Sequence, residues 1–84
     1  MTKLVYFAWV REKVGLAEEE ATLPPEVATV GDLLLYLRAR GDGFAEAFAE
    51  PETIRVALDR VHAFPEDPLA GAREIALFPP MTGG

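Results

Sequence analysis

The sequence predicts an α+β domain: a mixed sheet of about five strands packed on one main helix, with an extended segment after the last strand. Three observations carry this. An almost unbroken apolar run, Lys3-Leu4-Val5-Tyr6-Phe7-Ala8-Trp9, opens the chain. A second strand pattern, Glu74-Ile75-Ala76-Leu77-Phe78, nearly closes it. Between them Val30, Leu33, Leu34 and Leu37 fall at i, i+3, i+4 and i+7, the spacing of one helix face. With 84 residues there is room for one modest core, not for a cleft between two domains.

Taken in order, residues 3–9 read as a strand, and their continuous apolar character suits a central strand covered on both faces. Residues 10–14 are expected to make one or two helical turns closed by Gly15. Residues 18–23 form a weaker strand whose three glutamates suit an exposed edge, and Pro24-Pro25 ends it. Thr29 is placed to cap the main helix, with Asp32 three residues on in a box-like position and Gly41 to stop it. Phe44 and Phe48 sit four apart in a short second helix ended by Pro51. Residues 53–58 and 61–64 read as a hairpin reversed at Asp59-Arg60, a turn that lacks the usual glycine. Residues 74–78 are the last strand. With the first and last strands side by side in the middle, this order is a β-grasp, the ubiquitin-like fold: residues 1–78 form the domain and 79–84 a C-terminal tail. The sheet's other face is expected to be partly open, lined by Tyr6, Val61 and Phe78.

Composition narrows the function. Half the residues are apolar and 26% are charged, which argues against disorder. The absence of cysteine excludes a disulfide scaffold and a thiolate zinc site, and a lone histidine, His62, leaves little for a metal. Eight basic residues against 14 acidic give −6. Without clustered cations, neither nucleic acid nor an anionic membrane is an expected partner. The opening apolar run is too short to span a bilayer and has no cleavage site after it, so the expected location is cytoplasmic. His62 reads as a solvated strand residue, Phe7 and Trp9 as core, and Glu18-Glu19-Glu20 as a solvated edge. Arg11 suits either a partner contact or a surface ion pair with Glu12 or Glu18.

The informative segment is Phe78-Pro79-Pro80-Met81-Thr82-Gly83-Gly84. Two prolines stop the strand and bias the chain to an extended path. Two glycines then let backbone approach a partner closely. Six residues from Pro79 reach about 20 Å at roughly 3.3–3.6 Å each. The carboxylate of Gly84 is a poor acyl donor until activated. Attack on the α-phosphate of ATP gives an acyl-adenylate, from which a sulfur or amine nucleophile takes the acyl group. A frayed end without a role is the plain alternative.

These residues resemble a known family. The opening Lys3 to Glu12 with Val14-Gly15, the Thr29-Val30 and Leu33 helix start, Phe64 with Asp67-Pro68-Leu69, and above all the closing Glu74 to Gly84 are similar to the small, sulfur-carrier subunit of molybdopterin synthase. The resemblance covers essentially the whole chain, and the ending Ala76-Leu77-Phe78-Pro79-Pro80-Met81-Thr82-Gly83-Gly84 is its most specific part. It implies that Gly84 is adenylated by a ubiquitin-activating-type adenylyltransferase using ATP and becomes a thiocarboxylate through a sulfur donor system. That sulfur is then delivered to cyclic pyranopterin phosphate in molybdenum cofactor biosynthesis. It also implies a heterotetramer with the large synthase subunit, which carries the catalytic side chains, while this chain binds no cofactor of its own. The implied partner-binding residues are Gly83, Thr82, Met81, Pro80, Pro79, Phe78 and Val61; Phe78 also suits the core, and Val61 an ordinary hairpin position. The chain departs from the family pattern at Leu58-Asp59-Arg60, at Pro65 and at Ala70-Gly71-Ala72-Arg73-Glu74, which touches turns and local charge. A carrier for another pathway (thiamin thiazole or tRNA thiolation), a ubiquitin-like protein modifier, and a passive interaction module share the same features.

Overall fold

A strand that is half-buried must alternate its side chains, and the first strand does so. In the computed structural model, which describes residues 1–80, β1 (Thr2–Tyr6) buries Leu4 and Tyr6 and turns Lys3 and Val5 to the opposite face. The remaining elements are α1 (Ala8–Val14), β2 (Glu18–Ala21), α2 (Val30–Arg38), α3 (Asp42–Ala47), a 3₁₀ turn (Pro51–Thr53), β3 (Arg55–Leu58), β4 (Val61–Ala63) and β5 (Glu74–Phe78). The five strands make one sheet in the order β2-β1-β5-β3-β4. β1 and β5 are central and parallel, so nearly the whole chain serves as their crossover, and every other pairing is antiparallel. This is the expected β-grasp.

One face of the sheet holds the core. Leu4, Tyr6, Val56, Ile75 and Leu77 meet Val30, Leu33, Leu34 and Leu37 of α2, with Val10 and Phe48 closing the ends. Each large apolar side chain so buried contributes about 1.5–3 kcal/mol. The main helix starts where its sequence says: the Thr29 hydroxyl accepts from the Asp32 N–H at 3.2 Å, and the Asp32 carboxylate accepts from the Thr29 N–H at 3.2 Å. The N–H groups of Ala28 and Thr29, both donating to the Asp32 carboxylate, hold its carboxyl below the ordinary range.

Several boundaries differ from the sequence reading. The first strand ends at Tyr6 rather than residue 9, because Ala8 turns the chain with a left-handed φ of 52° and α1 begins at once. α2 stops at Arg38, and Gly41, at φ 86°, caps the next helix instead. Residues 53 and 54 lie outside β3, since the turn opened by Pro51 takes them first. β2 stops at Ala21 and β4 at Ala63. α3 packs against α1 at Gly43, where a Cβ would collide with the Lys13 carbonyl.

Beyond the core, the edge of the sheet is tied by a charged cluster. Tyr6 donates its hydroxyl to Glu19 at 2.6 Å, and Arg40 donates to both oxygens of the same carboxylate at 2.9 and 3.2 Å. The Arg40 guanidinium also lies 4.2 Å from the Phe44 ring centre. Glu18 pairs with Lys3 at 3.1 Å rather than with Arg11. No helix among the described residues is long and apolar enough to cross a membrane.

Candidate functional site

The uncovered face of the sheet is built by the residues that alternate away from the core. The register puts Lys3 beside Glu74 and Val5 beside Ala76 on this face, with Arg55 beside Phe78 and Ala57 beside Ala76 and His62. Phe7 continues the same side of β1. Its ring meets that of Phe78 edge-to-face at a centroid distance of 6.4 Å, and its N–H donates to the Leu77 carbonyl at 3.1 Å. Phe7, Ala8, Ala76, Phe78, Pro79 and Pro80 line a shallow concavity of about 460 Å³. Every lining residue is apolar. The concavity sits at the root of the tail, where β5 ends.

Three of the proposed site residues therefore come together here: Phe78, Pro79 and Pro80, all half-buried. Phe78 points away from the core, on the same side as Glu74 and Ala76 in the alternation, so it lies on the open face and not in the core. Met81, Thr82, Gly83 and Gly84 lie outside the described residues.

Two residues expected on the open face are not there. Tyr6 is buried at 1% exposure, because it shares the parity of Leu4 and faces the core, its ring edge-to-face with that of Phe44. Val61 pairs with Leu58, whose neighbour Val56 is in the core, so Val61 sits on the helix side of the sheet. It is 68% exposed there only because β4 is the outermost strand. His62 takes the open face instead, exposed, its ring 5.2 Å from Phe64 edge-to-face.

Phe7 and Trp9, assigned to the core from sequence, are 46% and 38% exposed and flank the tail root. The signal for Phe7 was in the sequence: splitting the apolar run by a period of two groups Leu4 with Tyr6 and Val5 with Phe7. The turn at Ala8 that exposes Trp9 has no such signal, since alanine seldom adopts a positive φ.

The chemistry available on this chain is limited. Among the described residues no group of three or more His, Asp or Glu side chains is placed to hold a metal. The carboxylate with the most partners, Glu19, is committed to Tyr6 and Arg40: burial pushes its carboxyl up, but the hydrogen bonds from Arg40 and Tyr6 together leave it below its ordinary value. The arrangement suits docking and presentation of a chain end.

The chain is similar along its whole length to known proteins. The ThiS family model matches residues 4–84. The molybdopterin synthase sulfur carrier subunit of Escherichia coli is 33% identical over 84 residues, all of both chains, and that of Haemophilus influenzae 32% over the same span. Among solved structures, a Pyrococcus furiosus protein designated molybdopterin converting factor, subunit 1, superposes with a TM-score of 0.73 at 28% identity, covering 95% of this chain and 97% of that one. SAMP1 from Haloferax volcanii superposes with a TM-score of 0.70 at 27% identity, covering 99% and 98%.

Proposed function

We propose, because the chain belongs to the ThiS family, that it is the sulfur carrier subunit of a molybdopterin synthase and that its working group is the carboxylate of Gly84. The observation that carries this is the wholly apolar concavity at the tail root, formed by Phe7, Ala76, Phe78, Pro79 and Pro80, from which the chain runs directly into Met81-Thr82-Gly83-Gly84. A large synthase subunit docks on that concavity and receives the four terminal residues. Apolar side chains on an otherwise open sheet face favour such an interface, and aromatic anchors give it most of its energy.

The chemistry follows from the terminal group. A carboxylate oxygen of Gly84 attacks the α-phosphorus of ATP on an adenylyltransferase, forming the acyl-adenylate and releasing pyrophosphate. A sulfur donor system supplies sulfur at the sulfide level, which displaces AMP and leaves a thiocarboxylate. With no cysteine in the chain, sulfur has no other place to be carried. On the large subunit the thiocarboxylate sulfur attacks a carbon of cyclic pyranopterin phosphate; a carbon–sulfur bond forms as that carbon's bond to oxygen breaks, the oxygen leaving with the phosphate or as water, and a second water cleaves the acyl–sulfur bond to return the Gly84 carboxylate. Two carriers serve the two sulfurs of a dithiolene, which suits a heterotetramer.

Intact-mass measurement after incubation with ATP, adenylyltransferase and sulfur donor tests this. Exchange of one terminal oxygen for sulfur is expected, and an unchanged mass with a competent enzyme refutes it. Deleting Gly84 abolishes transfer without shifting the thermal midpoint, because a chain end makes few core contacts. Isopeptide adducts lost on the same deletion would instead identify a protein modifier.

A further inference from the structure

The strands carry two cations, Lys3 on β1 and Arg55 on β3, and the register turns both to the open face. Their settings differ. Lys3 stands at the end of that face away from the tail root, beside Glu20 and Glu74 and 3.1 Å from the Glu18 carboxylate. Arg55 stands at the tail root, directly opposite Phe78. It is exposed, and among the described residues no carboxylate lies within 4.0 Å of it. The chain has 14 acidic residues against 8 basic ones, so an arginine left unpaired by its own chain stands out. The strand carboxylates of this face lie elsewhere: Glu18 and Glu20 on the β2 edge, with β1 and β5 between, and Glu74 at the start of β5. Glu74 is separated from Phe78 by about 13 Å, at roughly 3.3 Å per residue.

We propose that Arg55 is a specificity-determining contact of the docking face: its guanidinium pairs with a carboxylate of the large subunit that covers Phe78. This rests on the sulfur-carrier reading, which supplies the partner. Residues opposite one another on antiparallel strands have Cβ atoms about 4.5–5.5 Å apart, so a surface that packs on Phe78 also comes against Arg55. That surface strips water from the guanidinium. The charge is then either paired by the partner or left desolvated at a cost. A carboxylate accepts from both arms of the guanidinium fork and replaces the lost water. A partner with an apolar or cationic residue at that position is rejected, even where it fits the apolar concavity equally well. Phe7 and Phe78 thus supply contact energy, and Arg55 selects among the surfaces able to use it. Lys3 has no such part, since Glu18 already answers its charge.

Titration calorimetry of the full chain against the purified large subunit, at low and at high salt, tests the pairing. Arg55→Gln is expected to weaken binding about tenfold at low salt, and Arg55→Glu about a hundredfold. Both deficits shrink at high salt, because screening weakens the wild-type pair. Arg55→Lys keeps the charge without the fork and is expected to bind within about threefold of wild type. Arg38→Glu makes the same change of charge on α2, behind the sheet, and is expected to leave the affinity unchanged. The thermal midpoint of each variant stays close to the wild-type value, since both arginines are exposed. Wild-type affinity in Arg55→Glu, a deficit indifferent to salt, or an equal loss in Arg38→Glu overturns the proposal. Should Arg55→Glu bind normally while Phe78→Ala does not, the docking face stands and the role of Arg55 falls. A wild-type chain that fails to bind the large subunit overturns the sulfur-carrier reading and this contact with it.

Discussion

The two faces of the sheet are made from the same five strands and much the same residue types, yet they have opposite fates. On the helix side Leu4, Tyr6, Val56, Ile75 and Leu77 are all at 1% exposure or less. On the other side Val5, Phe7, Ala57, Ala76 and Phe78 are half-buried or exposed, and no helix among the described residues covers them. Neighbours in sequence fall on different sides, as with Leu77 and Phe78 or Tyr6 and Phe7. Hydrophobicity alone therefore does not separate stability from recognition in this chain; strand parity does.

The sharpest way to break that division is to truncate the two neighbours at the end of β5. Leu77→Ala opens a cavity in a fully buried site and is expected to cost about 2–5 kcal/mol, seen as a large fall in the urea midpoint. Phe78→Ala loses an edge-to-face contact with Phe7 and is expected to cost about 1 kcal/mol of stability. Its larger effect is on docking: about 30-fold weaker binding to the large subunit, the scale of an aromatic anchor. If Phe78→Ala lowers the urea midpoint as far as Leu77→Ala does, or binds the large subunit as tightly as wild type, the open face is not the recognition face.

The same parity explains how much was legible beforehand. The β-grasp, the order of elements and the capping box at Thr29 follow from local patterns: apolar runs, a 3.6-residue period, a threonine three residues before an aspartate. The tail root at Phe78-Pro79-Pro80 was equally plain, since prolines cannot extend a ladder. What failed was the assignment of faces. Tyr6 and Val61 were placed on the open side, and Phe7 and Trp9 in the core. From Leu4 to Trp9 every residue is apolar, so the alternation is masked there, and the pairing with β5 shows which residues share a face. For Val61 the deciding fact is the two-residue turn, which pairs it with Leu58 and carries it to the helix side. The exposure of Trp9 depends on the positive φ of Ala8, which has no sequence pattern.

That turn is held from outside the hairpin. The Asp59 carboxylate accepts from the N–H groups of Arg73 and Glu74, each at 2.9 Å, and so pins the β3–β4 reversal to the start of β5. Asp59→Ala is expected to cost about 1–3 kcal/mol, as two charge-assisted hydrogen bonds are lost, with Asp59→Asn recovering part of it. Amide exchange at Val61 and His62 should rise with it. An unchanged exchange rate there would mean that the register, and with it the division of faces, is set elsewhere.

The core side also carries an ionisable group, and pH distinguishes the faces by it. Burial raises the Tyr6 phenol well above its ordinary value, and its hydrogen bond to Glu19 adds to this. A raised folded value means stability that is complete below the unfolded value, about 10, and is lost as pH rises beyond it. For Glu19 the folded value is depressed, so its contribution is present above the ordinary carboxylate range and is lost as pH falls through the lower folded value. Tyr6→Phe should flatten the alkaline limb of the stability profile, and Glu19→Gln the acid limb. A profile unmoved by either change would place the pH response outside this cluster.

The smallest expected effect acts on the register itself. Asp59 and Arg60 both have positive φ, 48° and 72°, the pair of conformations a two-residue hairpin turn demands and glycine adopts most readily at the second position. Arg60 gives up little if replaced. Its side chain is 90% exposed and lies at 4.0 Å from Glu74, a contact that solvent screens almost completely. Arg60→Gly therefore trades a strained backbone for a more flexible unfolded chain, and the two nearly cancel. We expect a net gain of about 0.5 kcal/mol, read as a slightly higher urea midpoint at unchanged slope. A loss instead would show that the arginine stem supports the turn, and that Leu58 and Val61 are held opposite one another by side-chain packing as well as by backbone geometry.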